Sequence, residues 1–273
     1  MFKYVMSRKF SVVTTFNQDG YLKYGSRMID TFLTNWPSDV VLYVYAEDCV
    51  ITQTAPNLIV MAMPQELVQF KQQWAGVPKA NGDVSLDPIR STRRDAGKGF
   101  KWDAVRFAHK VYVIFDCARN CDADVLLWMD GDMVCHSPIS IAEISILCPE
   151  TKDLCFLGRK NKYTECGLYA MNLHSESLKQ FLQEFQRCYD QAEQGIFQLD
   201  EWHDSYVFDA VRKRFRLVEL DWSSHLITGE GHPLINSTWG RYLDHLKGDR
   251  KSLGRSKQKD LKTPRIEEYW QTF

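Results

Sequence analysis

The sequence predicts an α/β protein: a Rossmann-like, mixed but mostly parallel sheet flanked by helices. Three observations carry this. The N-terminal part alternates strand, helix, strand and strand patterns. A continuous apolar run, Val125-Leu126-Leu127-Trp128-Met129, ends at Asp130-Gly131-Asp132, as a strand buried on both faces does. Amphipathic helical stretches separate most of the remaining apolar runs.

In order, residues 10–16 are β-branched and aromatic and read as the first strand, broken by Asn17-Gln18-Asp19-Gly20. Residues 24–35 read as a helix with Met28, Ile29, Phe32 and Leu33 on one face, stopped by Trp36-Pro37. Residues 40–45 and 58–61 are the next strands, and 66–74 a helix. Residues 76–99 are rich in Gly, Pro, Asp and Arg and read as a long loop. Arg90, Arg93, Arg94 and Lys98 are expected to be solvated there, with phosphate contact as the alternative. Residues 100–117 form a helix with Val105, Ala108, Val111, Tyr112 and Phe115 inward; Arg106 and Lys110, four apart, share a face.

Beyond the Asp-Gly-Asp, residues 139–147 read as a short helix or an extended segment. Residues 154–157 and 167–172 are strands joined by a polar turn through Lys160 and Glu165. Residues 177–194 give the clearest helix, with a capping box at Ser177 and Gln180 and a stop at Gly195. Asp204 is the expected N-cap of a helix at 205–214, and 215–220 the last strand. No repeat or low-complexity linker appears. The expected organisation is one domain over residues 1–273, with a basic extension from about residue 247.

A net charge of −1 gives no global case for nucleic-acid or membrane binding. Eight scattered cysteines suit free thiols in a reducing compartment better than a disulfide framework. The first nine residues lack an apolar signal core, and no run is long enough to span a bilayer, so a cytoplasmic protein is expected. No Gly-x-Gly-x-x-Gly follows the first strand, which excludes the dinucleotide fingerprint.

Asp130 and Asp132 close a central strand, and open α/β sheets bind ligands at that end; Gly131 is expected to allow a sharp turn. Carboxylate oxygens suit Mg²⁺ or Mn²⁺, which in turn hold phosphates. A second Asp-x-Asp, Asp122-Ala123-Asp124, precedes the strand and reads as a solvated turn. Near the end of the chain lies His245-Leu246-Lys247-Gly248-Asp249-Arg250-Lys251. His245 offers an imidazole, which suits Mn²⁺ better than Mg²⁺. Gly248 offers close backbone approach, and Lys251 a cation for a diphosphate.

These residues resemble glycosyltransferases of the GT-A fold, specifically the glycogenin- and galactosyltransferase-like family, glycosyltransferase family 8. The likeness rests on the Asp-x-Asp and on His245-x-x-Gly248-x-x-Lys251. Between them come a Gly-bearing strand ending at Asn172, a helix, and Trp202-His203-Asp204. It departs where the family's Pro-Trp after the lysine is Ser252-Leu253 and its Asp-Gln pair is Asp204-Ser205. The resemblance implies a metal held by Asp130, Asp132 and His245, with Lys251 on the β-phosphate. It implies a nucleotide-sugar donor, a UDP-sugar, its base held around Thr14, Thr15, Phe16 and Asn17, with Tyr21 or Tyr24 stacking. Arg106 and Lys110 are further donor-site candidates. Asp204 is expected near the transferred hexosyl or pentosyl group, which would pass with retention to a hydroxyl of a glycan, a protein or a modified nucleic acid. If an acid instead deprotonates the acceptor, Asp204 or Glu201 is the base and inversion follows. Two rivals stand beside this reading: a nucleotidyltransferase that forms nucleotide sugars, and a nucleic-acid-binding protein using the basic tail, including one that glycosylates a DNA base.

Overall fold

A computed structural model describes residues 8–226 and 232–272; residues 1–7, most of the segment without an apolar signal core, lie outside them. The expected α/β class is what the chain adopts. Among the described residues, seven strands form one sheet in the order β3-β2-β1-β4-β7-β6-β8. They are β1 (Phe10–Asn17), β2 (Val41–Glu47), β3 (Leu58–Met61), β4 (Val125–Met129), β6 (Leu154–Leu157), β7 (Glu165–Asn172) and β8 (Glu219–Asp221). β7 alone runs antiparallel to its neighbours β4 and β6. The short strands β5 (Met133–Cys135) and β9 (Leu243–His245) pair separately.

β4 shows why its sequence is apolar without alternation. Leu126 and Trp128 belong to a core on one face of the sheet, with helices Ala104–Asn120 and Glu176–Asp190. Val125, Leu127 and Met129 belong to a second core on the other face, with helix Ser26–Asn35. A strand buried on both faces has no solvent side to carry polar residues. All eight cysteines are free, six of them buried. No described helix is long and apolar enough to cross a membrane.

Several local expectations are corrected. Asn17 ends β1 as expected, but the helix starts at Gln18 rather than at residue 24. The Asn17 side chain caps a helical turn by accepting from the Gly20 N–H at 2.9 Å, and the helix runs on through a π-turn, Tyr21–Gly25, into Ser26–Asn35. Of the two alternatives for residues 139–147, the short helix is the one adopted, at Ile141–Leu147, capped by a Ser140–Glu143 box. Ser175, not Ser177, caps the helix Glu176–Asp190, which ends before Gly195. His203, not Asp204, caps Asp204–Arg212, and Asp204 is that helix's first residue. Glu165 and Cys166 belong to β7 rather than to a polar turn. The last sheet strand begins at Glu219, leaving 215–218 outside it.

Candidate active site

The site assembles where β4 ends. Met133 of β5 pairs with His245 of β9, and the Leu246 N–H donates to the Asp132 carbonyl at 2.9 Å. This register carries an imidazole from near the end of the chain to the Asp-Gly-Asp. His245 Nε2 lies 3.1 Å from Asp132 Oδ1 and 3.4 Å from Asp130 Oδ2. One ligand atom from each of the three residues falls within 4.8 Å of the others. His245 is 1% exposed and backs the carboxylates, while Asp130 and Asp132 line the cleft.

The surroundings fix each ligand. Asp130 Oδ1 accepts from Lys110 Nζ at 3.0 Å and from the Trp128 indole N–H at 2.8 Å, which leaves Oδ2 facing His245. His245 Nδ1 is buried without a hydrogen bond, 3.9 Å from the buried carboxylate of Glu165. Glu165 is held by Lys247 and by Arg159, the latter at 3.4 Å. A side chain at Gly167 would collide with the His245 ring, so close strand-to-ring approach requires glycine there. Gly131 has no positive φ; a side chain there would come within 2.8 Å of the Phe16 ring.

The electrostatics favour positive charge where the ligand atoms meet. Burial pushes the Asp130 carboxyl up, but Lys110 and His245 outweigh it and hold it well below the usual carboxylate range. Burial lowers the His245 imidazole, yet Asp132 and Asp130 bring it up to about 9. Glu165, buried but beside Lys247 and His245, is brought down to about 2. Two carboxylates and an imidazole, backed by a further carboxylate, fit a divalent cation such as Mn²⁺.

A cavity of about 430 Å³ opens over these groups. Its walls include Thr15, Phe16, Asn17, Tyr24, Arg106, Lys110, Gly131 and Lys251. Lys251 Nζ reaches Asp132 Oδ2 at 3.0 Å and stands 4.6 Å from the centre of the Tyr24 ring. Thr14 and Tyr21 do not line this cavity. Thr14 is fully buried within β1, and the Tyr21 hydroxyl is engaged by Thr52 and Gln53. Gly248 has φ +59° and open space around it, so it serves the turn between His245 and Lys251. Asp204 lines the cavity too and pairs with Lys110 Nζ at 2.7 Å. Glu201 lies in an adjoining cavity of about 870 Å³, bound by Lys101 at 2.7 Å and His203 at 2.9 Å.

Sequence reasoning missed Glu165 and the Trp128 indole. An acid opening an otherwise apolar strand was the available signal for the first. The basic tail also differs from expectation, because much of it is internally paired. Arg250 bonds Asp260, Lys257 bonds Asp249, and Arg265 bonds the carbonyls of Ile235 and Ser237.

No family model matches the chain, and no curated protein does. Among solved structures it is similar to the galactosyltransferase LgtC in complex with donor and acceptor sugar analogues. That match has 9% identity, covers 87% of each chain and has a TM-score of 0.49. It is similar to the apo-form glycosyltransferase GlyE of Streptococcus pneumoniae TIGR4, at 11% identity over 78% of this chain and 45% of that one, TM-score 0.47. A third is the bifunctional glycosyltransferase WbbM in its apo form, at 10% identity over 81% and 40%, TM-score 0.46. The chain thus spans less than half the length of GlyE and WbbM. Likeness at this level assigns no function to the present chain.

Proposed function

We propose that the chain is a metal-dependent glycosyltransferase of the GT-A type, one catalytic domain that moves a sugar from a nucleotide-diphosphate sugar to an acceptor hydroxyl. The observation that carries this is the convergence of Asp130, Asp132 and His245 beside Lys251 in a cleft at the C-terminal end of β4. Asp130, Asp132 and His245 would hold Mn²⁺, or Mg²⁺. The cation, when bound, neutralises charge on the leaving diphosphate. Lys251 adds a fixed positive charge on the same side. Tyr24, Phe16 and Asn17 line the same cavity and supply an aromatic face and an amide for a base, taken here as uracil.

Retention fits the carboxylates. A carboxylate held in an ion pair is a weaker general base than a free one. Asp204 is held by Lys110 and by the Ser205 N–H, and Glu201 by Lys101 and His203. With both neutralised, the departing phosphate is the better proton acceptor, on the face the sugar leaves. A cytoplasmic location belongs to the same proposal. The nucleotidyltransferase reading is weaker, since helix follows β1 directly where such enzymes carry a Gly-rich basic loop.

The test is a screen of nucleotide sugars with Mn²⁺, read as nucleoside diphosphate release, together with NMR of the product anomer. Release with a UDP-sugar that disappears in both Asp130→Ala and His245→Ala is the expected result. Metal-dependent turnover unchanged in both variants refutes the site, and an inverted anomer refutes the stereochemistry.

A further inference from the structure

The cleft does not end at the transfer site. The cavity beside Asp204 shares Asp130, Phe107 and Asp204 with the one over the metal ligands. It shares Arg159, Lys162, Asp209 and Lys213 with a third cavity of about 680 Å³. Among the described residues, six Lys and Arg side chains line that third cavity against two carboxylates, in a chain whose net charge is −1. The carboxylates are occupied: Asp209 by Arg212 and Thr164, Asp221 by Ser223 and the Gly158 N–H.

Lys160, Lys162, Lys213 and Lys262 are exposed and make no ion pair among the described residues. They come from three separate places: the turn before β7, the end of helix Asp204–Arg212, and the C-terminal segment. Between this trough and Asp204 stand aromatic rings. Phe100, 48% exposed, Phe107 and Tyr163 surround His203 at centroid distances of 6.0, 6.1 and 5.5 Å.

A cationic groove leading to aromatic faces is how proteins hold single-stranded nucleic acid, with phosphates along the charge and bases against the rings. A stacked duplex cannot bring a base into a cavity of this size, so the reacting nucleotide must be unpaired or extruded. We propose that this trough docks a strand of nucleic acid, which presents the acceptor hydroxyl beside Asp204. The acceptor role rests on the transferase reading above; the docking does not. Of the basic tail, Lys262 lines the trough, and the other three unpaired lysines come from the turn before β7 and the end of helix Asp204–Arg212.

The test is anisotropy of a short fluorescein-labelled single-stranded oligodeoxynucleotide with the full chain. Four phosphate contacts predict a slope of log affinity against log salt of roughly −3, about −0.7 each. Combined Lys160→Ala, Lys162→Ala, Lys213→Ala and Lys262→Ala should lower affinity more than about tenfold at low salt and flatten that slope, with the melting temperature unchanged. Loss of the tail lysines Lys257 and Lys259 should leave affinity unaltered. Asp130→Asn, blocked in donor cleavage, should still bind, so failure of the transferase reading would show separately from failure of docking. Equal affinity of the four-lysine variant and the parent overturns the proposal. So does a poly(glycerol phosphate) that competes as well as the oligonucleotide, because the rings then select nothing.

Discussion

Lys110 Nζ lies 3.0 Å from Asp130 Oδ1 while also lying 2.7 Å from Asp204 Oδ2. One buried ammonium therefore ties the candidate metal ligand to the candidate sugar-site acid, and it also donates to the Cys166 carbonyl. Arg106, four residues earlier on the same helix, is exposed at the cleft wall instead.

Lys110→Met leaves two carboxylates without their cation. Breaking a buried pair by removing one partner costs about 3–5 kcal/mol. Urea unfolding should show a loss of that size, with part of it recovered when Mn²⁺ is added.

Lys251→Ala should behave differently. Lys251 is about a third exposed and sits on the short helix Arg250–Leu253, so stability should change by no more than about 0.5 kcal/mol. Loss of a preformed charge at the leaving group should cut kcat with the nucleotide sugar by about 10²-fold. Steady-state kinetics beside a melting curve separate the two, and an unaltered kcat would remove Lys251 from the site.

Gly167→Ala drives a methyl group into the His245 ring. Overpacking of this kind costs about 1–3 kcal/mol. The displaced imidazole should weaken Mn²⁺ binding about tenfold or more. Manganese titration followed by thermal shift reads this directly, and an unchanged midpoint would show that the ring tolerates the methyl.

Acid should destabilise the fold through His136. Burial lowers this imidazole to about 4, and it stacks on Tyr269 at 4.2 Å. As pH falls below about 6.5 the unfolded chain takes a proton that the folded one refuses, so stability drops until about pH 4 and then levels. The contribution is about 1–3 kcal/mol. His136→Phe, which keeps the stack, should flatten that limb of the stability profile.

The central strand and its Asp-Gly-Asp were legible because burial on both faces leaves an unbroken apolar run. The helix ending at Asn120 was legible from its inward face, although it begins at Ala104 after a 3₁₀ turn rather than at Phe100. Helix starts were misread where a polar residue one or two positions away competed for the cap, as at Ser175 and His203. The β5–β9 pair was not legible. Three residues per strand show no periodicity, and their partners lie far apart in the chain. His245 was found by its likeness to a known pattern; the pairing of Met133 with His245 is its physical reason. Thr14 was misplaced because the cleft takes only the C-terminal end of β1, from Thr15 on, and Tyr21 because its hydroxyl turns to Thr52 and Gln53.

β5 emerges from the ribosome long before β9, its partner across the pair. A nascent chain can lay down β1, β2 and β4 while its acids still lack their imidazole. The three residues that converge at the site, Asp130, Asp132 and His245, therefore come together only after synthesis has passed His245.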